Sequence, residues 1–224
     1  MEIIANVHLI PNIIANPYLI IDSDGLTLID AGLPGSDKKI LKYIVNLNRS
    51  PSDLKRIIIT HSDIDHFGGL SALKKASGAR VYASEIESDS MSKGQSSRQI
   101  KSKNFFRKLL MDVAGRFMKA APIHADETLS EGQILPVLGG LRIVETPGHT
   151  PGHISLYSPT TGILFTGDSI VSRDGGLVRS VPRNTWDEAK ADESARKQAV
   201  LGARIVCSGH GPVVMDATNK FPKV

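Results

Sequence analysis

The densest chemistry in the chain lies in Thr60-His61-Ser62-Asp63-Ile64-Asp65-His66, where two imidazoles and two carboxylates fall within six residues. The cluster directly follows the apolar run Ile57-Ile58-Ile59. Burying so many polar and charged groups without a compensating cation is expensive. His and Asp are also the ordinary ligands of a borderline divalent metal. The competing reading is a polar turn that caps the next helix. Three later loops offer the same donor types: His149 in Glu145-Thr146-Pro147-Gly148-His149, Asp168 in Phe165-Thr166-Gly167-Asp168, and His210 in Ser208-Gly209-His210-Gly211. Each alone reads at least as well as a structural turn residue. Several strand-end loops carrying donors of one chemical kind are hard to obtain by accident.

Taken together, these motifs resemble the metallo-β-lactamase superfamily of metal-dependent hydrolases. The resemblance rests on His61-Ser62-Asp63-Ile64-Asp65-His66, Thr146-Pro147-Gly148-His149, Gly167-Asp168 and Gly209-His210-Gly211. The framework stretches Asn16 to Ile20, Leu28 to Gly32 and Phe67 to Gly69 support it. It implies a four-layer αββα sandwich and two divalent metal ions, zinc before others. His61, Asp63 and His149 would hold the first ion, Asp65, His66 and His210 the second, and Asp168 would bridge them. Asp30 would support the ligands, although by residue type it could equally be a turn residue. The implied nucleophile is a metal-bridged hydroxide, which needs no Ser or Cys. Asp65 or Asp168 would carry its proton.

One position departs from the family pattern: Asp63 stands where the family has a second His. A carboxylate can still ligate, but it adds negative charge, which should make bound water less acidic. Harder oxygen ligation also moves preference toward iron or manganese. A non-hydrolytic di-iron oxidoreductase, or a binding protein of the same fold, is therefore the alternative to a hydrolase. Asp63 as a non-ligand is the bland reading.

The elements that must position these residues are legible as hydrophobic periodicity. Strands are expected at 18–21 and 26–30 around a Gly25 turn, then a helix from Ser36 to about Asn48. A strand at 56–60, a loop over 61–69, a helix at 70–77 and a strand at 80–83 follow, an order that implies a parallel crossover. After Leu129, strands are expected at 133–135, 141–144, 154–157, 163–165 and 204–207. A last helix should run from Trp186 to about Leu201, capped by Asn184 or Thr185. The reading is one domain over residues 1–224, with a basic helical insert at about 84–121.

The 224 residues carry 27 Lys+Arg against 23 Asp+Glu, a net charge of +4. That charge is uneven, because residues 91–121 contain eight basic residues and one acid. Phe105, Phe106, Leu109, Leu110, Val113, Ala114, Phe117 and Met118 form one apolar stripe at helical spacing, a candidate homodimer contact over 105–118. Membrane-surface docking is a further reading of that helix. Arg173, Arg179 and Arg183, expected in a Gly-containing loop after Asp168, are candidate substrate contacts; the alternative is ordinary surface arginines. An anionic ester, lactone, thioester or phosphodiester would suit them. Nucleic acid is not expected as a partner, since the RNA- and DNA-processing branches carry larger inserts. The chain ends 14 residues after His210, which argues against the glutathione-binding helical domain of the glyoxalase II branch. A single cysteine, Cys207, excludes an internal disulfide and suits a reducing cytoplasm. It reads as a buried thiol. His8, His124 and His153 read as structural. No stretch is apolar enough for a membrane span.

Overall fold

The computed structural model describes residues 1–98 and 120–223. The apolar stripe at 105–118, with its dimer and membrane readings, lies outside the described residues. The first sheet contains β1 (Glu2–Ile4), β2 (Val7–Leu9), β3 (Tyr18–Asp22), β4 (Gly25–Ile29), β5 (Leu54–Ile58), β6 (Arg80–Ala83) and β7 (Glu127–Thr128), in that spatial order. It starts antiparallel and becomes parallel from β4 to β7. The second sheet uses β8 (Ile134–Leu135), β9 (Leu141–Glu145), β10 (Ile154–Ser158), β11 (Ile163–Gly167), β14 (Ile205–Ser208) and β15 (Val214–Met215). Its order is β15-β14-β11-β10-β9-β8. The intervening β12 (Ile170–Arg173) and β13 (Gly176–Arg179) form a separate hairpin.

Side-chain alternation decides the layering, because successive strand residues face opposite sides. Ile57 and Ile59 pack with Ile40 and Ile44 of α1 (Asp37–Asn46) and with Leu70 and Leu73 of α3 (Leu70–Ser77). Ile58, between them, faces the other way and meets Ile143, Leu156, Phe165 and Cys207 of the second sheet. On the far side, Val144, Leu164 and Val206 pack with Ala195 of α5 (Glu188–Ala199). Each sheet is thus apolar on both faces, which explains the near-continuous hydrophobic strands in the sequence. The result is the αββα sandwich.

Three local expectations are corrected. The loop expected over 61–69 contains α2 (Ile64–Phe67), which opens where the carbonyl of Asp63 accepts the His66 amide at 2.9 Å. The last helix starts at Glu188, not Trp186. Pro182–Asn184 forms a 3-10 turn, the Trp186 amide donates to the Gly148 carbonyl at 2.8 Å, and the Asp187 carboxylate caps the helix through the Lys190 amide. The loop expected to carry Arg173 and Arg179 is the β12–β13 hairpin. No helix among the described residues is long and apolar enough to cross a membrane.

Candidate metal centre

Every loop of interest leaves the C-terminal end of a strand. Asp30 follows β4, His61 follows β5, His149 follows β9, Asp168 follows β11 and His210 follows β14. β4 and β5 are parallel, β11 and β14 are parallel, and β9 takes their sense through antiparallel β10. The shared direction delivers all five loops to one edge of the sandwich. Cross-sheet bonds hold that edge closed: the Ile154 amide donates to the Thr60 carbonyl at 3.0 Å, and the Tyr18 hydroxyl donates to the Ser208 carbonyl at 2.7 Å.

The seven residues singled out in the sequence converge there. His61, Asp63 and His149 form one buried group whose candidate ligand atoms lie within 4.8 Å of one another. Asp65, His66 and His210 form a second group, and His61, His66 and Asp168 a third. Asp168 stands between them: Oδ1 is 3.4 Å from His66 Nε2, while Oδ2 is 3.7 Å from His149 Nε2 and 3.4 Å from His210 Nε2. The imidazoles make this a dense site, with the tilted His61 and His66 rings 4.0 Å apart between centroids.

The His66 and His61 rings are tied down at their second nitrogens, whereas His149 Nδ1 is buried without a partner. The Asp30 carboxylate takes His66 Nδ1 at 2.7 Å and also accepts the Thr60 amide at 2.8 Å. Asp30 adopts a left-handed conformation, φ 61°, to do so; a non-glycine residue rarely sits there without a structural reason. His61 Nδ1 lies 3.0 Å from the Thr60 hydroxyl. His153 behaves as the structural residue its position suggested. Its Nε2 accepts the Asp168 amide at 3.0 Å, and burial pushes its pKa down to about 3, so it stays neutral.

The donor set fits divalent cations. His61 Nε2, His66 Nε2 and Asp168 Oδ1 are buried without a hydrogen-bond partner. Buried polar atoms normally find partners, and an orphan costs about 1–3 kcal/mol. Here the orphans face one another across the two groups. The site also favours positive charge. Hydrogen bonds to Asp168 and Asp65 push His210 up to about 9 against the effect of burial. Burial alone would lower His66, but Asp168 and Asp30 raise it well above its ordinary range.

Asp63 has neighbours that the sequence did not suggest. Its Oδ2 lies 3.2 Å from His149 Nε2 and 2.5 Å from Arg98 Nη2, and its Oδ1 accepts the Ser96 hydroxyl. Burial would raise the Asp63 carboxyl, but the His149 hydrogen bond and the charges of His61, His149 and Arg98 hold it far below the usual carboxylate range. Glu87 was missed as well. It is fully buried beside the His61 and His149 loops. Ser84-Glu85-Ile86-Glu87 has the spacing of a helix capping pattern, and Ser84 does cap α4 (Glu85–Met91) through the Glu87 amide, so the local pattern around Glu87 speaks of the helix and not of the site.

The candidate substrate arginines lie on or just after the β12–β13 hairpin, which adjoins the donor loops: the Ser172 amide donates to the His210 carbonyl at 3.2 Å. Arg179 is ion-paired to Glu188 and Asp192 of α5, while Arg173, at the end of β12, and Arg183, in the 3-10 turn, are exposed. Cys207 is buried, and burial pushes its thiol up, away from reactivity.

The Asp30 contact gives a first expected outcome. Asp30→Asn should weaken metal binding about 10- to 100-fold, the usual cost of losing a carboxylate that orients a ligating His. Chelator competition would measure it, and unchanged affinity would remove Asp30 from the support of His66.

Residues 11–210 match the Metallo-beta-lactamase superfamily. The uncharacterized protein YobT of Bacillus subtilis (strain 168) is 30% identical over 215 residues, spanning 92% of this chain and 87% of YobT. A hydroxyacylglutathione hydrolase of Cereibacter sphaeroides (strain ATCC 17025 / ATH 2.4.3) is 29% identical over 160 residues, 70% of this chain. The match spans 48% of that enzyme, about half its length. Among solved structures, the metallo-beta-lactamase family protein TTHA1429 from Thermus thermophilus superposes with a TM-score of 0.76 at 24% identity, covering 98% of this chain and 78% of that one, a likeness of fold. Motif, architecture and family match agree, and the chain belongs to the metallo-beta-lactamase superfamily.

Proposed function

We propose that the protein is a dinuclear metal-dependent hydrolase acting on a small ester-type substrate, a thioester before an oxygen ester, lactone or phosphodiester. The observation that carries this reading is the pair of three-residue donor groups that meet at Asp168. His61, Asp63 and His149 would hold one cation and Asp65, His66 and His210 the other. A divalent pair supplies a Lewis acid for the scissile carbonyl and a water acidic enough to attack at neutral pH. The protein residues supply geometry and proton handling. Asp30 and Thr60 fix the rings of His66 and His61, His153 fixes the Asp168 backbone, and Asp65 or Asp168, both within 3.4 Å of His210 Nε2, would take the proton given up when the attacking water becomes hydroxide and could return it to the leaving group. The thioester preference comes from the hydroxyacylglutathione hydrolases among the relatives, since an acylglutathione is a thioester. A small-molecule substrate, zinc as the metal and a cytoplasmic location belong to the same proposal.

The di-iron oxidoreductase reading rests on the extra negative charge of Asp63. The Arg98 guanidinium at 2.5 Å offsets that charge and makes the pair as neutral as the His it replaces. That contact favours the hydrolase. It also gives an expected outcome: Arg98→Ala leaves the Asp63 charge uncompensated and should move the rise of the pH–rate profile upward by about one unit, equivalent to about 1.4 kcal/mol. An unshifted profile would remove Arg98 from the charge balance of the site. The activity itself is tested with a panel of acyl thioesters, aryl esters, lactones and phosphodiesters. Thioester hydrolysis that a chelator abolishes and zinc restores is expected. Redox-active iron with no hydrolysis would instead support the oxidoreductase.

A further inference from the structure

We propose that Glu87 is a positioning residue that sets the first metal subsite, His61, Asp63 and His149, and joins it to the stem of the basic insert. The inference rests on the metal-dependent reading above.

Glu87 is fully buried at the third position of α4, and no ion pair to it occurs among the described residues. Its carboxylate is satisfied by donors from three separate segments. From the His61 loop, the Ser62 amide donates to Oε2 at 2.8 Å and the Ser62 hydroxyl donates to the same oxygen. From the His149 loop, the Thr150 hydroxyl donates to Oε1 at 2.7 Å and the Gly152 amide at 2.9 Å. From the insert stem, the Ser97 hydroxyl reaches both oxygens at 2.8 Å. Ser62 lies between His61 and Asp63, and Thr150 follows His149. Every ligand of the first subsite is therefore one residue from a bond to Glu87. None of the second subsite, Asp65, His66 and His210, has a neighbour in this network.

The surroundings are shaped for the contact. A Cβ on Gly152 would stand 2.7 Å from the Ser84 hydroxyl oxygen and 3.0 Å from Glu87 Oε1, so the loop approaches only because that residue is glycine. The network then continues outward. The Ser97 amide donates to the Ser62 hydroxyl at 2.8 Å, and Ser96 and Arg98 on either side of Ser97 both bind Asp63. Anchoring Ser97 on Glu87 is what brings Arg98 to Asp63. A buried anion without a counter-cation is costly unless it collects several strong donors, and this one collects them from the loops that carry the first-subsite ligands. Helix capping alone needs none of these bonds.

The test compares Glu87→Gln, Ser97→Ala and the stability control Leu73→Ala, a core substitution between α3 and the first sheet. Zinc affinities of the two subsites are read by chelator competition, and amide hydrogen exchange is followed at Ser62 and Gly152 in zinc-free protein. Gln keeps the shape of Glu but sets an NH2 group against the Ser62 or Gly152 amide, a donor facing a donor. Glu87→Gln should speed exchange at those amides and weaken the tighter or looser of the two zinc steps, but only one, about 10- to 100-fold. Ser97→Ala should weaken the same step less. Leu73→Ala should lower the melting temperature without separating the two steps. If Glu87→Gln weakens both steps together, as a general loss of stability would, or neither, the inference is overturned. Faster exchange with both zinc steps intact would also overturn it. Wild-type protein that takes up fewer than two zinc ions would instead sink the underlying two-metal reading, a result visible before any variant is compared.

Discussion

His66→Ala is expected to lower hydrolysis by on the order of a thousandfold or more and to remove one of two metal ions, with the fold retained. His66 is the residue through which the site is most tightly joined. Its Nδ1 is held by Asp30, its Nε2 lies 3.4 Å from Asp168, and its ring centroid lies 4.0 Å from that of His61. Groups that act as a unit lose most of their effect when one is removed, so the loss should far exceed that for a residue contributing one contact. Removing the side chain also relieves an orphaned buried nitrogen, so stability should fall less than a buried truncation normally implies. Elemental analysis together with steady-state kinetics would check both halves. Near-normal turnover with one ion fewer would mean that the second subsite is not part of the reaction.

Gly209→Ala is the second large effect, and it arises from space alone. Gly209 lies between β14 and His210, where a Cβ would collide with Asp168 Oδ1 and stand 2.7 Å from His66 Cε1 and 3.1 Å from the Gly167 carbonyl carbon. Its amide also donates to the Gly167 carbonyl at 2.7 Å, so the backbone cannot move aside without breaking the contact between the Asp168 and His210 loops. The methyl group must instead displace Asp168, the carboxylate that stands between the two donor groups. Displacement of a reacting group by about 1 Å costs roughly 100-fold in rate, and that is the expected loss in kcat. Gly35→Ala is the matched comparison, because a Cβ there meets nothing within 4 Å and only the φ of 89° is strained; its effect should fall on stability and not on turnover. Equal kinetic effects of the two substitutions would show that steric access to Asp168 is not the cause.

The architecture was readable because the strands here are buried on both faces. Ile57, Ile58 and Ile59 stand out as an apolar run, and Gly167 at the end of β11 and Gly209 after β14 mark where the loops begin. The seven residues that converge at one edge stood out only as a set: each alone could be a turn residue, and the resemblance to a known motif is what grouped them. What escaped the sequence depends on contacts far apart in the chain. Trp186 has helical surroundings in sequence, but its amide belongs to Gly148, and Asp187 outcompetes Asn184 and Thr185 as the cap. The β12–β13 hairpin turns through Asp174 and Gly175, both at positive φ, within a stretch whose Gly and Arg content resembles an open loop. Arg98 and Glu87 carry no local mark of their roles. Their partners, Asp63 and the His149 loop, lie 35 and more than 60 residues away. Arg179 is likewise paired over a distance in sequence, with Glu188 and Asp192 of α5, which nothing in its own loop announces.

The most direct test of the account is the number of metal ions bound per chain, measured by elemental analysis on protein stripped with a chelator and reloaded with zinc under saturating, then dialysed, conditions. Two ions per wild-type chain and one per chain in His66→Ala, with hydrolysis tracking the second ion, is the expected result. One ion or none in wild-type protein that hydrolyses its substrate at full rate would contradict the dinuclear centre.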